Sequence, residues 1–256
     1  MTQNLLLELG ELKKQHPAFV LCLITHAEGS TPRKAGASMV VFPDGLTSGT
    51  IGGGNIEMKA LADALLVLKS GCPASKSYQL EDDLEMRCGG RVDIYFEPFL
   101  PDNRLIIYGA GHVGNEVGRY ASDLGFRICF VDHRAEILDS IGYPAEKILC
   151  SYNEAMTLLS PGENDFVVVT TPKHEFDEEI IEQLAPLRLA YLGMIGSKRK
   201  VAETRNNILK REKITPGQLD RVDMPIGIPF RAETPREIAF SIVARLIDVK
   251  NTRHGK

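Results

Sequence analysis

The most regular stretch of the chain lies at 104–132, where two apolar runs flank a glycine-rich turn and an amphipathic segment. The first run, 105–108, is short and shows no polar alternation, which is typical of a strand buried on both faces. The second run, 126–131, ends at an acidic residue, Asp132. A strand, a helix and a strand in this order predict a βαβ unit.

The alternation of strand and helix patterns continues beyond this unit. The predicted elements are a short helix from Ala135, a strand ending at Cys150, a helix at 153–159, strands at 165–171 and 187–192, and a helix from Thr234 through Asp248. Thr234 begins a capping box and Pro235 takes the first helical position, as is common at helix starts. The pattern therefore predicts a Rossmann-like parallel-sheet domain at 104–256 with a C-terminal helix.

The first hundred residues show a different pattern, in which strands are joined by a tight turn. Four leucines spaced for one helix face precede a break at His16 and Pro17. The predicted elements that follow are strands at 19–25, 38–42 and 46–51, a helix from Asn55, its cap, to Gly71, and an alternating strand at 91–97. They predict a mixed α+β domain at 1–100, followed by a linker at 99–103. The fold class is thus α/β, with two domains.

Composition and charge exclude several classes of protein. The chain has 256 residues, 43% hydrophobic and 25% charged, as in ordinary globular proteins. A formal charge of −4 and a pI near 5.9 provide no basic field for a nucleic acid backbone. No apolar run reaches the roughly 18 residues of a membrane span, and 1–17 lacks the features of a signal peptide. We therefore expect a cytosolic protein with neither a nucleic acid nor a membrane as partner.

The glycine-rich turn has the G-x-G-x-x-G spacing of a dinucleotide site. Gly109 would permit the tight turn, Gly111 would let the backbone approach a pyrophosphate, and Gly114 would let the helix pack closely on the strand. Asp132 stands where a carboxylate can accept a hydrogen bond from a ribose 2′-hydroxyl, which favours NAD, whereas Arg134 could accommodate the 2′-phosphate of NADP. The alternative, that the glycines serve only the turn and no nucleotide binds, stays open.

Three consecutive glycines, Gly52, Gly53 and Gly54, precede the first domain's second helix and form a second candidate anion site. Their N–H groups can converge on a phosphate or an oxo group without interference from side chains. A loop with adjacent cations, Arg33 and Lys34, lies two strands earlier and could flank the same end of the hairpin. Close packing of the glycines between strand and helix is the alternative.

The cysteines divide by their surroundings. Five cysteines without a C-x-x-C spacing predict reduced thiols rather than a disulfide framework or a zinc finger. Cys22 and Cys129 lie inside apolar strand patterns and are expected to be buried. Cys88 stands beside two glycines, between two arginines at the mouth of a strand, and is a candidate nucleophile or soft metal ligand.

Two further candidates follow strands of the second domain. His174 and Asp177 lie just after the predicted strand at 165–171, where open α/β sheets bind ligands, and could share a site. A solvated helix start, with Asp177 near the N-terminus, is the alternative. Ser197 is a candidate cap of a basic helix, and the adjacent Gly196 would give an anion access to the backbone.

As an ordered set, these motifs resemble those of the XdhC family, the xanthine dehydrogenase accessory and maturation factors, over nearly the whole chain. The matching segments are G-S-x-P-R-x-x-G-A at 29–37, G-T-I-G-G-G-x-x-E at 49–57, C-G-G at 88–90, G-A-G-H-V-G at 109–114, D-x-R at 132–134, H-x-x-D at 174–177, Y-L-G-M-I-G-S-K-R-K at 191–200, P-I-G at 225–227 and E-T-P-x-E-I-A-x-S-I at 233–242. The chain departs from the family pattern at Asn55, where many relatives have cysteine, and at Pro229, which takes an acidic position.

The resemblance implies a chaperone rather than a catalyst. Such a protein binds molybdenum cofactor, protects it while a cysteine desulfurase installs its terminal sulfur, and helps to insert it into a xanthine dehydrogenase-type molybdenum hydroxylase. Backbone nests and basic side chains would hold the cofactor's phosphate, and Cys88 would protect the metal. The Asn55 departure argues against ligation by two thiols. Folds of this kind often pair, which makes a homodimer an expectation.

Two alternatives belong to other classes. One is an NAD(P)-dependent oxidoreductase that uses the Rossmann half with His174 as proton donor, and the other is a structural adaptor for the dehydrogenase. If the resemblance holds, we expect the Arg33 loop, the Gly52 turn, Cys88, the Gly109 turn and His174 to face one cleft between the two halves, since domain interfaces favour ligand pockets.

Overall fold

The computed structural model describes residues 4–16, 18–80 and 90–253. The described residues form two compact units, one before Asp102 and one spanning Asp102–Arg253, each built on a five-stranded sheet. The first sheet is antiparallel and the second is parallel, so the prediction of an α+β domain followed by a Rossmann-like domain is confirmed. Within these residues no helix combines the length and the hydropathy required to cross a bilayer.

The first unit contains α1 (Asn4–Gln15), β1 (Phe19–Glu28), β2 (Ser38–Val41), β3 (Thr47–Gly49), α2 (Asn55–Ser70), β4 (Ala74–Gln79) and β5 (Arg91–Phe99). The strand order is β3-β2-β1-β5-β4. Strand β1 alternates its buried side chains between two cores. Val20, Cys22 and Ile24 lie in the core that contains α2, whereas Phe19 and Leu21 pack with leucines of α1.

The second unit contains β6 (Asn103–Tyr108), α3 (His112–Ser122), β7 (Phe126–Asp132), α4 (Ala135–Asp139), β8 (Glu146–Leu149), α5 (Tyr152–Leu159), β9 (Phe166–Val169), α6 (His174–Leu184), β10 (Tyr191–Met194), α7 (Lys198–Lys210), α8 (Pro216–Leu219) and α9 (Pro235–Arg253). The strand order is β10-β9-β6-β7-β8. Buried side chains of one sheet face pack with α3 and α9, and those of the other pack with α5, α6 and α7. The order reverses between β6 and β9, and open α/β sheets bind ligands at such a point, outside the carboxyl ends of the strands.

Three sequence predictions are wrong in position. The strand predicted at 187–192 lies at Tyr191–Met194, because its partner β9 offers pairing only from Phe166 to Val169. Strand β1 extends to Glu28 because its last residues pair with the start of β5. Asn55 is the first residue of α2 and Gly54 is the cap, so Asn55 does not take the capping position.

Candidate functional site

The turn between β6 and α3 places its three glycines in different environments. Gly109 has a φ of 98°, and a Cβ there would lie 2.5 Å from the carbonyl oxygen of Thr170. A Cβ on Gly114 would lie 2.0 Å from the carbonyl oxygen of Gly109, so α3 touches the turn here. Gly111 is the N-cap of α3, and a Cβ there would meet no atom within 4 Å. The backbone is therefore open to a ligand at Gly111, whereas Gly109 and Gly114 are closed by packing.

Asp132, at the end of β7, is fully buried and accepts four hydrogen bonds. One oxygen accepts from the backbone N–H of Ala110 at 2.9 Å and from Arg134 Nη2 at 2.7 Å. The other accepts from the backbone N–H and the Nε of Arg134, at 3.0 and 2.8 Å. Burial acts to raise the pKa of this carboxyl, but the hydrogen bonds from Arg134 and the two amides hold the pKa below its ordinary value. All four strong acceptor positions are thus used within the chain.

An aromatic cluster lies beside this pair, formed by His133, Tyr152 and Phe176. The ring centroids are 5.5 Å apart for His133 and Tyr152, 5.8 Å for His133 and Phe176, and 5.2 Å for Tyr152 and Phe176. Lys173 Nζ lies 5.8 Å from the centroid of Phe176. Tyr152 is buried, and no described residue hydrogen-bonds its hydroxyl. Sequence reasoning missed Tyr152 and Phe176, because an aromatic residue at a helix start carries no spacing signal.

His174 and Asp177 lie one turn apart on α6 but have different surroundings. Asp177 is buried and accepts hydrogen bonds from Thr171 Oγ1 at 2.5 Å and from Lys200 Nζ at 2.6 Å. Burial raises the pKa of Asp177, although Lys200 and Thr171 act to lower it. His174 is exposed at the first position of α6. The start of α6 is therefore solvated at His174, as the alternative predicted, but Asp177 in the same turn is buried against Lys200. A site shared by His174 and Asp177 stays a prediction.

Ser197 caps α7, as the sequence predicted. Its hydroxyl accepts a hydrogen bond from the backbone N–H of Lys200 at 3.2 Å. The cap fixes the start of the helix from which Lys200 reaches Asp177, so Ser197 has a structural task whether or not an anion binds here.

The glycine turn of the first unit holds an anion from its own chain. Glu57 Oε1 accepts hydrogen bonds from Thr50 Oγ1 at 2.5 Å and from the backbone N–H groups of Ile51 at 3.0 Å, Gly52 at 3.3 Å and Gly53 at 2.9 Å. Burial acts to raise the pKa of Glu57, but these hydrogen bonds lower it below its ordinary value. The amides of Gly52 and Gly53 are therefore not a free cradle, which corrects the sequence prediction. Glu57 stands at the third helical position, where a carboxylate commonly reaches back to amides before the helix, so its spacing could have revealed this role.

Two of the predicted segments do meet at one end of the antiparallel sheet. A Cβ on Gly52 would lie 2.6 Å from Pro32 Cγ, so the loop before Arg33 packs on the glycine turn. A Cβ on Gly90, directly before β5, would lie 2.5 Å from the carbonyl oxygen of Ser30. Arg33 itself is exposed, and no described side chain forms an ion pair with it. The loop at 29–37, the glycine turn and the chain entering β5 are thus neighbours, and Gly53 and Gly54 are open to added atoms.

The structure tests the predictions for Cys22 and Cys129, whereas Cys88 lies outside the described residues. Cys22 and Cys129 are fully buried, and burial raises the pKa of each thiol to about 12. Neither is a reactive thiolate at neutral pH, as predicted. Cys88 lies outside the described residues, two positions before Gly90. Among 4–16, 18–80 and 90–253, no three His, Cys, Asp or Glu side chains converge as a metal site.

Fold and turn define the class of protein: an antiparallel α+β unit followed by a Rossmann-type unit whose glycine turn is open at Gly111. The model of the XdhC Rossmann domain matches residues 105–246, and that of the XdhC and CoxI family matches 12–79. The chain belongs to the XdhC family.

Relatives extend the likeness over both units. An uncharacterized protein YqeB from Escherichia coli is 31% identical over 98% of this chain and 47% of its own length. A probable xanthine dehydrogenase subunit from Bacillus subtilis is 30% identical over 62% of this chain and 46% of its own length. This chain therefore spans about half the length of these two relatives.

A solved structure shares the fold. The crystal structure of a xanthine dehydrogenase from Bacillus halodurans superposes with a TM-score of 0.53 at 24% identity, covering 99% of this chain and 97% of the other. At this identity, the match supports the arrangement of elements and carries no assignment of activity.

Proposed function

We propose that the chain is an accessory protein of a xanthine dehydrogenase-type molybdenum hydroxylase. It binds molybdenum cofactor, protects it while a cysteine desulfurase adds its terminal sulfur, and assists its insertion into the hydroxylase. The observation that carries the proposal is the match of both units to XdhC family models. The class of partner is supported by the relative from Bacillus subtilis, whose name is that of a probable component of xanthine dehydrogenase.

In the described part of the first unit, the groups suited to the terminal phosphate of such a cofactor are basic side chains rather than backbone N–H groups. Arg33 and Lys34 are exposed on the loop that packs against the glycine turn, and two adjacent cations suit a terminal phosphate. Thr31, on the same loop, has a buried hydroxyl without a partner among the described residues. Bound cofactor supplies the metal-centred chemistry, and this chain's residues bind and shield it. The backbone N–H groups of Gly52 and Gly53 already donate hydrogen bonds to Glu57, so they are not free to bind the phosphate.

Copurification tests the proposal directly. The full chain, expressed in a host that makes molybdenum cofactor, should yield the fluorescence of oxidised molybdopterin after acid release. The double variant Arg33→Ala and Lys34→Ala should retain less, whereas Lys69→Ala, an exposed cation in the last turn of α2, should not change retention. Absence of the fluorescence would contradict cofactor binding. Tight NAD with hydride turnover would instead favour the oxidoreductase hypothesis.

Cys88→Ala should lower the cofactor retained per folded chain by more than about tenfold, since losing a direct ligand should exceed the effect of losing an outer-shell partner. Cys22→Ala and Cys129→Ala remove thiols that burial keeps protonated, so retention by their folded fraction should stay at the parent level. Molybdopterin fluorescence normalised to folded protein checks this. Equal retention by Cys88→Ala and the parent would remove the ligand assignment.

We also propose that the second unit binds a dinucleotide, NAD or NADP, without catalysing hydride transfer. The open backbone at Gly111, before the N-terminus of α3, supports pyrophosphate binding. His174, the proton donor required by the oxidoreductase hypothesis, is exposed and has no partner among the described side chains. Calorimetric titration tests binding, and an absorbance assay at 340 nm with candidate substrates tests turnover.

A further inference from the structure

Asp132, at the end of β7, has no carboxylate oxygen free to accept a hydrogen bond from a ribose hydroxyl. A carboxylate selects a free 2′-hydroxyl by accepting its hydrogen bond, which takes an unused lone pair within reach of the ligand. Asp132 is fully buried, and its acceptor positions are filled by Ala110 and by three N–H groups of Arg134. A 2′-hydroxyl could bond to Asp132 only after Arg134 had moved away.

Arg134 presents the opposite chemistry at the same place. Its guanidinium uses Nε and Nη2 for Asp132, so three of its five N–H bonds are not committed to that carboxylate. The side chain is 29% exposed, which leaves part of the guanidinium accessible to solvent. A guanidinium held on one edge by a buried carboxylate is fixed in orientation, and its free edge can bind a phosphate with little further loss of side-chain freedom.

The surroundings favour an anion as well. His133, next in the chain, is exposed, and Lys173 lies over the ring of Phe176, which packs against His133 and Tyr152. The buried hydroxyl of Tyr152 lies in this cluster, with the guanidinium of Arg134 close enough to act on it. Besides Asp132, Glu136 on α4 is an acidic side chain close enough to Arg134 for an electrostatic interaction, and Glu136 is exposed to solvent. The cations Arg134 and Lys173 at this edge of the sheet suit a ligand with acceptor atoms.

We propose that this edge of the parallel sheet selects a nucleotide that carries a phosphate monoester on its ribose, so that NADP binds in preference to NAD. Arg134 is the residue that determines this specificity, and Asp132 positions Arg134 rather than contacting the ribose. The inference rests on the proposed binding of a dinucleotide at the Gly109 to Gly114 turn. It departs from the preference for NAD that the acidic residue indicates from sequence alone.

Wild-type protein tests the inference without any substitution. The full chain is titrated by calorimetry with NADP, NAD, 2′,5′-ADP and 5′-ADP, in which the last two isolate the contribution of the 2′-phosphate. We expect NADP to bind at least about tenfold tighter than NAD, and 2′,5′-ADP to exceed 5′-ADP by a similar factor, since a charge-assisted phosphate contact has this magnitude. Equal affinities, or tighter NAD, would overturn the inference.

Arg134→Leu gives a reciprocal signature that a purely structural role would not produce. It removes the phosphate contact and uncovers the oxygens of Asp132, so NADP should weaken by about tenfold or more while NAD holds its affinity or gains. Arg127→Leu is the matched control, because Arg127 is exposed near the opposite end of the same strand. If Arg134→Leu does not fold, Arg134→Lys keeps a charge beside Asp132 but loses the fork, and it should reduce the NADP preference. Parallel weakening of NADP and NAD would refute the specificity role.

Failure of the inference and failure of the proposed nucleotide function give different results. Loss of the preference with binding of NAD and NADP intact removes only the specificity assigned to Arg134. Absence of heat with all four nucleotides removes nucleotide binding itself, and the specificity inference falls with it.

Discussion

Gly111→Val is expected to weaken nucleotide binding by about a hundredfold while leaving the fold intact. The residue has φ −64° and ψ −170°, an extended conformation that valine adopts readily, and a Cβ there would meet nothing within 4 Å. The side chain would therefore fill the space through which a pyrophosphate approaches the start of α3. Loss of about two charge-assisted hydrogen bonds corresponds to roughly 3 kcal/mol, or about a hundredfold weaker binding.

Calorimetry with NADP and NAD measures the affinities, and thermal unfolding of the free protein checks the fold. Gly142→Val is the matched control, since a Cβ at Gly142 also meets no atom within 4 Å. The control should keep its affinity. Gly114→Ala should behave differently again and lower the melting temperature, because its Cβ would collide with the carbonyl oxygen of Gly109. Unchanged affinity in Gly111→Val would show that no pyrophosphate lies at this turn.

Lys200→Met is expected to destabilise the second unit by about 3–5 kcal/mol at neutral pH. Asp177 is fully buried and Lys200 is 17% exposed, with 2.6 Å between Nζ and the carboxylate. Removing the cation leaves a buried negative charge, for which the Thr171 hydroxyl is the one remaining side-chain donor among the residues that the structure describes. Chemical denaturation of the full chain, followed by circular dichroism, measures the change. Lys198→Met, an exposed cation two residues earlier on the same helix, should change stability little.

The pH dependence identifies Asp177 as the cause. Burial raises the pKa of Asp177 in the folded protein, so its contribution to stability is fully present below the pKa of the unfolded chain and is lost as the pH rises through the folded value. Without Lys200 the folded pKa should rise further. The difference in stability between Lys200→Met and the parent should then shrink as the pH falls and Asp177 becomes protonated in the variant. The double variant with Asp177→Asn should recover stability at neutral pH, and failure to recover would assign the loss to another contact.

The two glycine turns show why similar sequences differ in function. Both place glycines before a helix, and both offer backbone N–H groups. In the first unit the chain supplies its own anion, Glu57, whereas at Gly111 the space above the backbone stays open. Backbone N–H groups before a helix can donate to a carboxylate at the third helical position, which fills the anion site from within the same segment of chain. Glycines before a helix therefore offer a free anion site only where no such carboxylate follows in the first turn of the helix.

The sequence by itself determined the fold class and the order of the two units. It also determined that Gly109 forms the tight turn and that Gly114 allows α3 to pack closely on it. These features depend on local pattern. A buried parallel strand needs an uninterrupted apolar run, a tight turn needs glycine, and a cap such as Ser197 needs only a few residues. The strand at 187–192 was misplaced because hydrophobicity shows where chain is buried, while the pairing partner decides which residues form the ladder.

Only the tertiary structure decided which groups are left for a ligand. The sequence predicts an Asp132 that is available to a ribose, but Arg134 binds both of its oxygens in the folded chain. Asp177 is buried against Lys200, which lies 23 residues further along the chain. Tyr152 and Phe176 come from two different helices and meet only because β7 and β9 flank β6 in the sheet. A residue type indicates what a side chain can bind, whereas its availability depends on neighbours that folding brings from elsewhere in the chain.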